Sequence, residues 1–281
     1  MGLPTKIGIL GGGTMGAGIA HAFLVSGTGV TLVERDVASI ATARGRLETS
    51  LSRASEKAPW DAVSVLSGIE FSTDYSVFND VDLVIEAVPE QFDLKVSALT
   101  AVESHLRDSA WLTTNTSSLS ITKIADQLQR PERFCGLHFF NPVPRSDLVE
   151  VVLAPKTSPE LADLASLWVQ ELGKTPIVVN DAPGFASSRL GLAIALEAMR
   201  MVEDGVASAA DVDAAMVLGY RHAAGPLKTT DLVGLDVRLG IAEYLHETLG
   251  ERFAPPQILR DKVARGELGR KSGRGFFEYS S

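Results

Sequence analysis

Two polar residues stand inside runs that are otherwise apolar. His138 sits in Phe134-Cys135-Gly136-Leu137-His138-Phe139-Phe140, just before the turn at Asn141-Pro142. Glu150 sits in Leu148-Val149-Glu150-Val151-Val152-Leu153. A carboxylate inside an apolar strand needs a partner, because burying an unpaired charge is costly. A lone histidine in such a place is more often a hydrogen-bonded core residue. A histidine and a carboxylate held together in a cleft form a general base. Each of the two residues thus supplies a reason for the other.

A second constellation lies near the start of the chain. Ile7-Gly8-Ile9-Leu10 runs into Gly11-Gly12-Gly13-Thr14-Met15-Gly16-Ala17-Gly18, a Gly-x-Gly-x-x-Gly pattern (Gly11, Gly13, Gly16) with a strand before it and a helix, Ala17 to Val25, after it. Gly11 allows the tight turn, Gly13 lets a pyrophosphate approach the backbone, and Gly16 lets the helix pack closely on the sheet. The N–H groups of the helix start then face the phosphates. The next strand, Val30-Thr31-Leu32-Val33, closes on Glu34, close to the roughly 20-residue offset of a ribose-binding acid. A carboxylate accepts from both adenosine ribose hydroxyls and repels a 2′-phosphate, which favours NAD over NADP. Arg35 follows directly and works against that preference. The plainer reading of Glu34 is a solvated charge at a strand end.

Two more loops carry polar groups. Asp82-Leu83-Val84-Ile85-Glu86-Ala87-Val88-Pro89-Glu90 is a buried strand ending in a loop, with Lys95 one turn into the following helix. Trp111-Leu112-Thr113-Thr114 leads into Asn115-Thr116-Ser117-Ser118, which serves either as a ligand-facing loop or as the cap of a helix starting near Ser120. A basic helical stretch, roughly Asp36 to Glu56, carries Arg44, Arg46, Arg53 and Lys57. Ser50 and Lys57, seven residues apart, share one of its faces. By itself this reads as a solvated helix face.

The elements that must position these residues follow from the alternation of short apolar runs with helical stretches. Candidate strands are Lys6–Leu10, Val30–Glu34, Ile69–Ser72, Val81–Glu86, Trp111–Thr114, Phe134–His138, Val149–Leu153 and Pro176–Val179. The pattern predicts an α/β fold with a doubly wound, mostly parallel sheet of the Rossmann-like kind. Its ligands bind at the carboxyl ends of the strands. Strand signals stop near Asn180-Asp181-Ala182-Pro183-Gly184, which divides the chain into residues 1–182 and 183–281. Predicted helices beyond that point are Phe185–Val202, Ala209–Leu218, Thr229–Leu249 and Pro256–Arg265. The first is apolar almost all round, which predicts burial on most sides and packing both on the first domain and on another subunit.

Composition narrows the function classes. The 281 residues are 45% hydrophobic and 22% charged, ordinary for a globular protein with ample core. A formal charge of −9 argues against nucleic acid or an anionic membrane surface as the main partner. The single cysteine, Cys135, reads as a small core residue and fits a reducing cytosol. No signal segment precedes the first strand and no apolar run approaches a membrane span. No ligand cluster with metal-site spacing is present.

The ordered set of motifs resembles the short-chain L-3-hydroxyacyl-CoA dehydrogenase family, and within it the bacterial 3-hydroxybutyryl-CoA dehydrogenases. The likeness runs from about residue 5 to 279. It is carried by the glycine loop, Glu86-Ala87-Val88-Pro89-Glu90, Asn115-Thr116-Ser117-Ser118-Leu119 and His138-Phe139-Phe140-Asn141-Pro142-Val143-Pro144. Leu148-Val149-Glu150-Val151 and Gly225-Pro226 with Asp231-Leu232-Val233-Gly234-Leu235-Asp236 complete it. The resemblance implies an eight-stranded NAD-binding domain followed by an all-α domain that makes a homodimer, and an acyl-CoA substrate. It implies that His138 is the base, that Glu150 orients it, and that Ser117 bonds the reacting oxygen. Gly11, Gly13, Thr14, Met15, Gly16, Glu34, Ala87, Val88, Glu90, Lys95, Asn115, Ser117 and Asn141 fall in the implied cofactor surroundings. Ser50 and Lys57 match positions that hold coenzyme A, and Ser117, Asn141 and Ser188 complete the implied substrate set.

One motif departs from the family. Pro183-Gly184-Phe185-Ala186-Ser187-Ser188-Arg189 has Ser188 where the family has an active-site asparagine, so carbonyl positioning by a shorter hydroxyl is in question. Two other activities fit the same motifs. One is oxidation of a sugar acid such as L-gulonate by a relative that uses no coenzyme A. The other is a non-catalytic NAD-binding protein on the same fold. Retention of Ser117, His138 and Glu150 weighs against the second, and Ser50 with Lys57 weighs against the first.

Overall fold

The computed structural model describes residues 2–279. The chain forms two compact units, Met1–Ala182 and Pro183–Ser281. In the first, eight strands make one sheet: β1 (Lys6–Leu10), β2 (Gly29–Val33), β3 (Ile69–Ser72), β4 (Leu83–Glu86), β5 (Trp111–Thr114), β6 (Phe134–Phe139), β7 (Leu148–Leu153) and β8 (Thr175–Asn180). Their spatial order is β3-β2-β1-β4-β5-β6-β7-β8. Every pairing is parallel except that of β6 with β7. The order reverses at β1, where β2 lies on one side and β4 on the other. At such a switch point the connections leave to opposite faces and open a crevice at the strand ends.

The central strands are buried on both faces, which explains why they read as unbroken apolar runs. Ile7 and Ile9 of β1 join α1 (Thr14–Val25), α2 (Val37–Ser55) and α6 (Pro159–Glu171) in one core cluster through Ile19, Phe23, Leu47, Leu51 and Trp168. Gly8, between them, faces the other way, where a Cβ would meet Phe78 and Val84. The remaining helices of this unit are α3 (Ala62–Leu66), α4 (Phe92–Glu103) and α5 (Ile121–Ala125). Polar N-caps start several of them. Asp36 accepts from the Ser39 amide to start α2, and Ser120 accepts from the Lys123 amide to start α5. Cys135 is fully buried, and that burial pushes its thiol up.

The second unit is helical: α7 (Ser187–Glu203), α8 (Ala209–Ala214), α9 (Pro226–Val233), α10 (Leu235–Leu249) and α11 (Gln257–Ala264). Leu192, Leu196, Met199, Leu227, Leu235 and Leu245 make its core. Three details differ from the sequence reading. The helix expected from Phe185 starts at Ser187, because Gly184 and Phe185 form a turn with φ of +75° and +48°. The helix expected over Ala209–Leu218 is regular only to Ala214 and widens into a π-turn over Ala215–Gly219. The stretch read as one helix, Thr229–Leu249, is two helices broken at Gly234, whose φ of +107° no L-residue adopts readily. In α7, Leu192, Ala195, Leu196, Ala198 and Met199 are buried. Leu190 remains 64% exposed and Ile194 38%. Among the described residues no helix is long and apolar enough to cross a membrane.

Candidate active site

The antiparallel pairing of β6 with β7 puts His138 directly opposite Glu150. Opposed residues on neighbouring strands project to the same face. His138 Nδ1 lies 2.7 Å from Glu150 Oε2, with the Glu150 side chain fully buried. A carboxylate at that nitrogen fixes the proton on Nδ1 and leaves the lone pair on Nε2. Phe140 lies against the imidazole, with ring centroids 4.4 Å apart.

Adjacent strands β4 and β5 bring their following loops together. Glu90 Oε1 accepts from Thr116 Oγ1 at 2.6 Å, the Ser117 amide at 2.9 Å, the Ser118 amide at 3.1 Å and Ser118 Oγ at 2.9 Å. Ser117 Oγ also reaches it, at 3.3 Å. Partial burial opposes ionisation of Glu90. The Lys95 ammonium and the bonds from Thr116, Ser117 and Ser118 outweigh it and hold the carboxyl below its ordinary range. The Asn115–Ser118 loop is thus gripped by a carboxylate from the neighbouring loop, while Ser120 does the capping of α5.

Lys95 is buried. Its ammonium donates to Glu86 Oε1 at 2.7 Å and to the Val88 carbonyl at 3.0 Å, and lies 3.4 Å from Glu90 Oε2. Glu86, fully buried at the end of β4, also accepts from the Val88 amide at 2.6 Å and Thr114 Oγ1 at 2.5 Å. Asn115 Oδ1 accepts from the Phe139 amide at 2.8 Å, which ties the β5 loop to the end of β6. Met15, Ala87, Val88, Glu90, Lys95, Asn115, Ser117, His138 and Asn141 consequently line one cleft of about 350 Å³, with Phe139 and Phe140.

The glycine loop meets the requirements of a dinucleotide. Gly11 turns at φ +95°, and a Cβ on Gly16 would fall 1.8 Å from the Gly11 carbonyl oxygen, so α1 starts hard against the end of β1. A Cβ on Gly13 would meet nothing within 4 Å, which is the open approach a diphosphate needs. Gly13 caps α1 with no side-chain bond to the first-turn amides. Glu34 stands one residue beyond β2, not within it. Its Oε1 accepts from the Gly12 amide at 2.7 Å and its Oε2 from the Arg35 amide at 3.1 Å. Each oxygen keeps a lone pair for a ribose hydroxyl. The Arg35 guanidinium is turned to Asp36, at 3.0 Å. These residues fit NAD.

A second groove, about 740 Å³, runs between α2 and the turn after β6. Thr14, Arg46, Ser50 and Arg53 line one side, and Asn141 to Arg145 the other. Asn141 belongs to both cavities. Lys57 lies past the end of α2, exposed, and lines neither. Ser188 is in the first turn of α7. Four residues escaped assignment from sequence. Glu86 carried the same signal as Glu150, an acid at the end of an apolar strand. His21 carried the same signal as His138. Thr116 and Ser118 were visible only as part of a hydroxyl-rich loop.

The fold and the cleft define an NAD-dependent oxidoreductase of the doubly wound class. Residues 6–182 match the family model described as 3-hydroxyacyl-CoA dehydrogenase, NAD binding domain, and residues 184–279 match 3-hydroxyacyl-CoA dehydrogenase, C-terminal domain. The chain belongs to the 3-hydroxyacyl-CoA dehydrogenase family. It is 40% identical to a probable 3-hydroxybutyryl-CoA dehydrogenase of Deinococcus radiodurans, over 98% of this chain and 100% of the relative. It is 38% identical to the mitochondrial hydroxyacyl-coenzyme A dehydrogenase of Rattus norvegicus, over 96% and 90% of the two chains. The crystal structure of (S)-3-hydroxybutyryl-CoA dehydrogenase from Ralstonia eutropha superposes with a TM-score of 0.95 at 37% identity, covering 99% of this chain and 100% of that one.

Proposed function

We propose that the enzyme interconverts short-chain L-3-hydroxyacyl-CoA, such as 3-hydroxybutyryl-CoA, and the corresponding 3-ketoacyl-CoA, with His138 as general base. The observation that carries this is the buried 2.7 Å His138–Glu150 pair at the cleft that Asn115, Ser117 and Asn141 also line. NAD, held by Gly11, Gly13, Thr14, Met15, Gly16 and Glu34, supplies a hydride acceptor when bound. His138 takes the proton of the substrate hydroxyl on Nε2. Glu150 holds Nδ1–H and stabilises the imidazolium that results. Ser117 turns its hydroxyl from the long contact with Glu90 to the substrate oxygen. Ala87, Val88, Glu90, Lys95 and Asn115 wall the nicotinamide side. The protein excludes water there with Phe139 and Phe140.

Coenzyme A fits the second groove, where Ser50, Arg46 and Arg53 present hydroxyl and cationic groups to an anion. Asn141, shared by both cavities, supports one thioester reaching from the groove into the cleft. Lys57 contributes at longer range, and Ser188 serves the acyl end in the role of the family's asparagine. The exposed apolar residues of the second unit, among them Leu190, Leu218, Tyr220, Leu232 and Val237, support a homodimer through that unit. The lone cysteine supports a cytosolic setting. The test is an assay of purified enzyme with acetoacetyl-CoA and NADH beside L-gulonate and NAD. The thioester should be turned over with far the higher kcat/KM. Preference for the sugar acid would remove coenzyme A from the account, and inactivity on both would leave a binding protein.

A further inference from the structure

Beneath the groove, on the inner side of α1, lies a histidine that the reaction does not use. His21 is 4% exposed. Its Nδ1 lies 2.9 Å from Ser50 Oγ, and Trp60 stands edge-on to the ring at a centroid distance of 6.2 Å. Ser50 itself lines the groove, with Arg46 and Arg53 on its own helix and Arg145 across from it. The neighbouring Thr49 spends its hydroxyl on the Gly45 carbonyl at 2.8 Å, the usual resort of a helical hydroxyl. The Ser50 hydroxyl is engaged by a ring from a different helix.

Which way that bond runs decides what Ser50 can offer. Burial first, and the Lys174 ammonium second, hold His21 below its ordinary value, so the ring is neutral near pH 7. Lys174 is itself fixed, donating to the Val143 carbonyl at 2.7 Å and the Ser146 carbonyl at 2.6 Å in the opposite wall. A neutral imidazole has one donor and one acceptor nitrogen. With its proton on Nδ1, His21 donates to Ser50 Oγ and the hydroxyl proton turns outward. With Nδ1 bare, the ring captures that proton and Ser50 faces the groove only as an acceptor. No described carboxylate forms an ion pair with Arg46, Arg53 or Arg145, so the groove presents unneutralised cations and favours an anion. A bound anion selects the outward proton.

We propose that His21 is a positioning residue for the coenzyme A portion of the substrate: through Nδ1–H it sets the Ser50 hydroxyl as a donor to a phosphate oxygen in the α2 groove. The proposal rests on the coenzyme A reading above. The test is steady-state kinetics of the full-length enzyme with acetoacetyl-CoA and NADH for His21→Leu, His21→Gln, Ser50→Ala and the His21→Leu/Ser50→Ala double variant. Ser50→Ala should raise KM for acetoacetyl-CoA about tenfold, as expected for loss of a bond to a charged group. His21→Leu should raise it about 3- to 10-fold, with kcat and KM for NADH unchanged. The glutamine amide can donate in place of the ring N–H, so His21→Gln should recover most of the loss. In the double variant His21→Leu should add nothing to Ser50→Ala, because both remove one interaction. With acetoacetyl-pantetheine, which lacks the nucleotide phosphates, His21→Leu should equal wild type in kcat/KM. Should His21→Leu not fold, His21→Met takes its place under the same criteria. An unchanged KM in His21→Leu beside a raised KM in Ser50→Ala overturns the role of His21 and spares the coenzyme A reading. Full additivity in the double variant does the same. An unchanged KM in both Ser50→Ala and Arg53→Ala overturns the coenzyme A reading and this proposal with it.

Discussion

In the cleft at the strand ends, polar groups have protein partners before any ligand arrives. Glu150 holds His138, Glu86 holds Lys95, and Glu90 holds the Asn115–Ser118 loop through five donors from Thr116, Ser117 and Ser118 besides Lys95. In the groove beside α2 the cations lack such charged partners. Arg46, Arg53 and Arg145 line a groove with no described carboxylate paired to them. Under the proposed function the contrast separates two tasks. A site that moves a proton must hold its groups to a fraction of an ångström, which takes a full set of bonds beneath them. A site that grips a flexible, highly charged handle needs available cations, and exposed ones cost little to keep.

The largest effect is expected at Lys95. Lys95→Met leaves Glu86 buried without its cation, so it should destabilise the protein by about 3–5 kcal/mol, read as a lowered melting temperature or denaturant midpoint. A loss of less than 1 kcal/mol would mean the cleft is not held by that pair. Glu150→Gln keeps the shape of the cleft and removes the charge behind His138. It should lower kcat about 10- to 100-fold, the scale at which orienting partners act, with KM for acetoacetyl-CoA nearly unchanged.

The groove should respond in the other parameter. Arg53→Ala should raise KM for acetoacetyl-CoA by roughly 1.5 kcal/mol of binding, the lower end for a charge-assisted bond, and leave kcat alone. Lys57→Ala, exposed and off the groove, should cost less, within about 1 kcal/mol. An equal or larger effect at Lys57 would show that the phosphates lie past the end of α2. The smallest effect is one of pH. Glu90 is held below its ordinary value of 4.5, so it contributes stability above that pH and loses it as pH falls through the lower folded value. Acid unfolding of wild type should therefore steepen below about pH 4.5 relative to Glu90→Gln. Parallel curves would remove Glu90 as the holder of its loop.

Much of this contrast was legible in the sequence, for a physical reason. An acid or a histidine inside an apolar run contradicts its surroundings, so His138 and Glu150 drew attention to each other across eleven intervening residues. The glycine pattern is similarly legible because backbone conformation and close approach leave few other residue types. The seat of Glu90 was not legible. It depends on β4 lying beside β5, which makes neighbours of loops more than twenty residues apart. The groove was ambiguous as well, since cations on a helix look the same whether solvated or awaiting a ligand. In the second unit, helical periodicity runs through Gly234 without a mark, because a glycine is tolerated in a helix and only the fold reveals its positive φ.

In the proposed reaction a histidine held by a buried carboxylate carries the proton. The measurement is kcat of His138→Gln with acetoacetyl-CoA and NADH at saturating concentrations of both. It should fall about 100-fold or more, the scale of general-base catalysis, with NADH binding retained. Turnover at the wild-type rate would contradict it and put the base elsewhere.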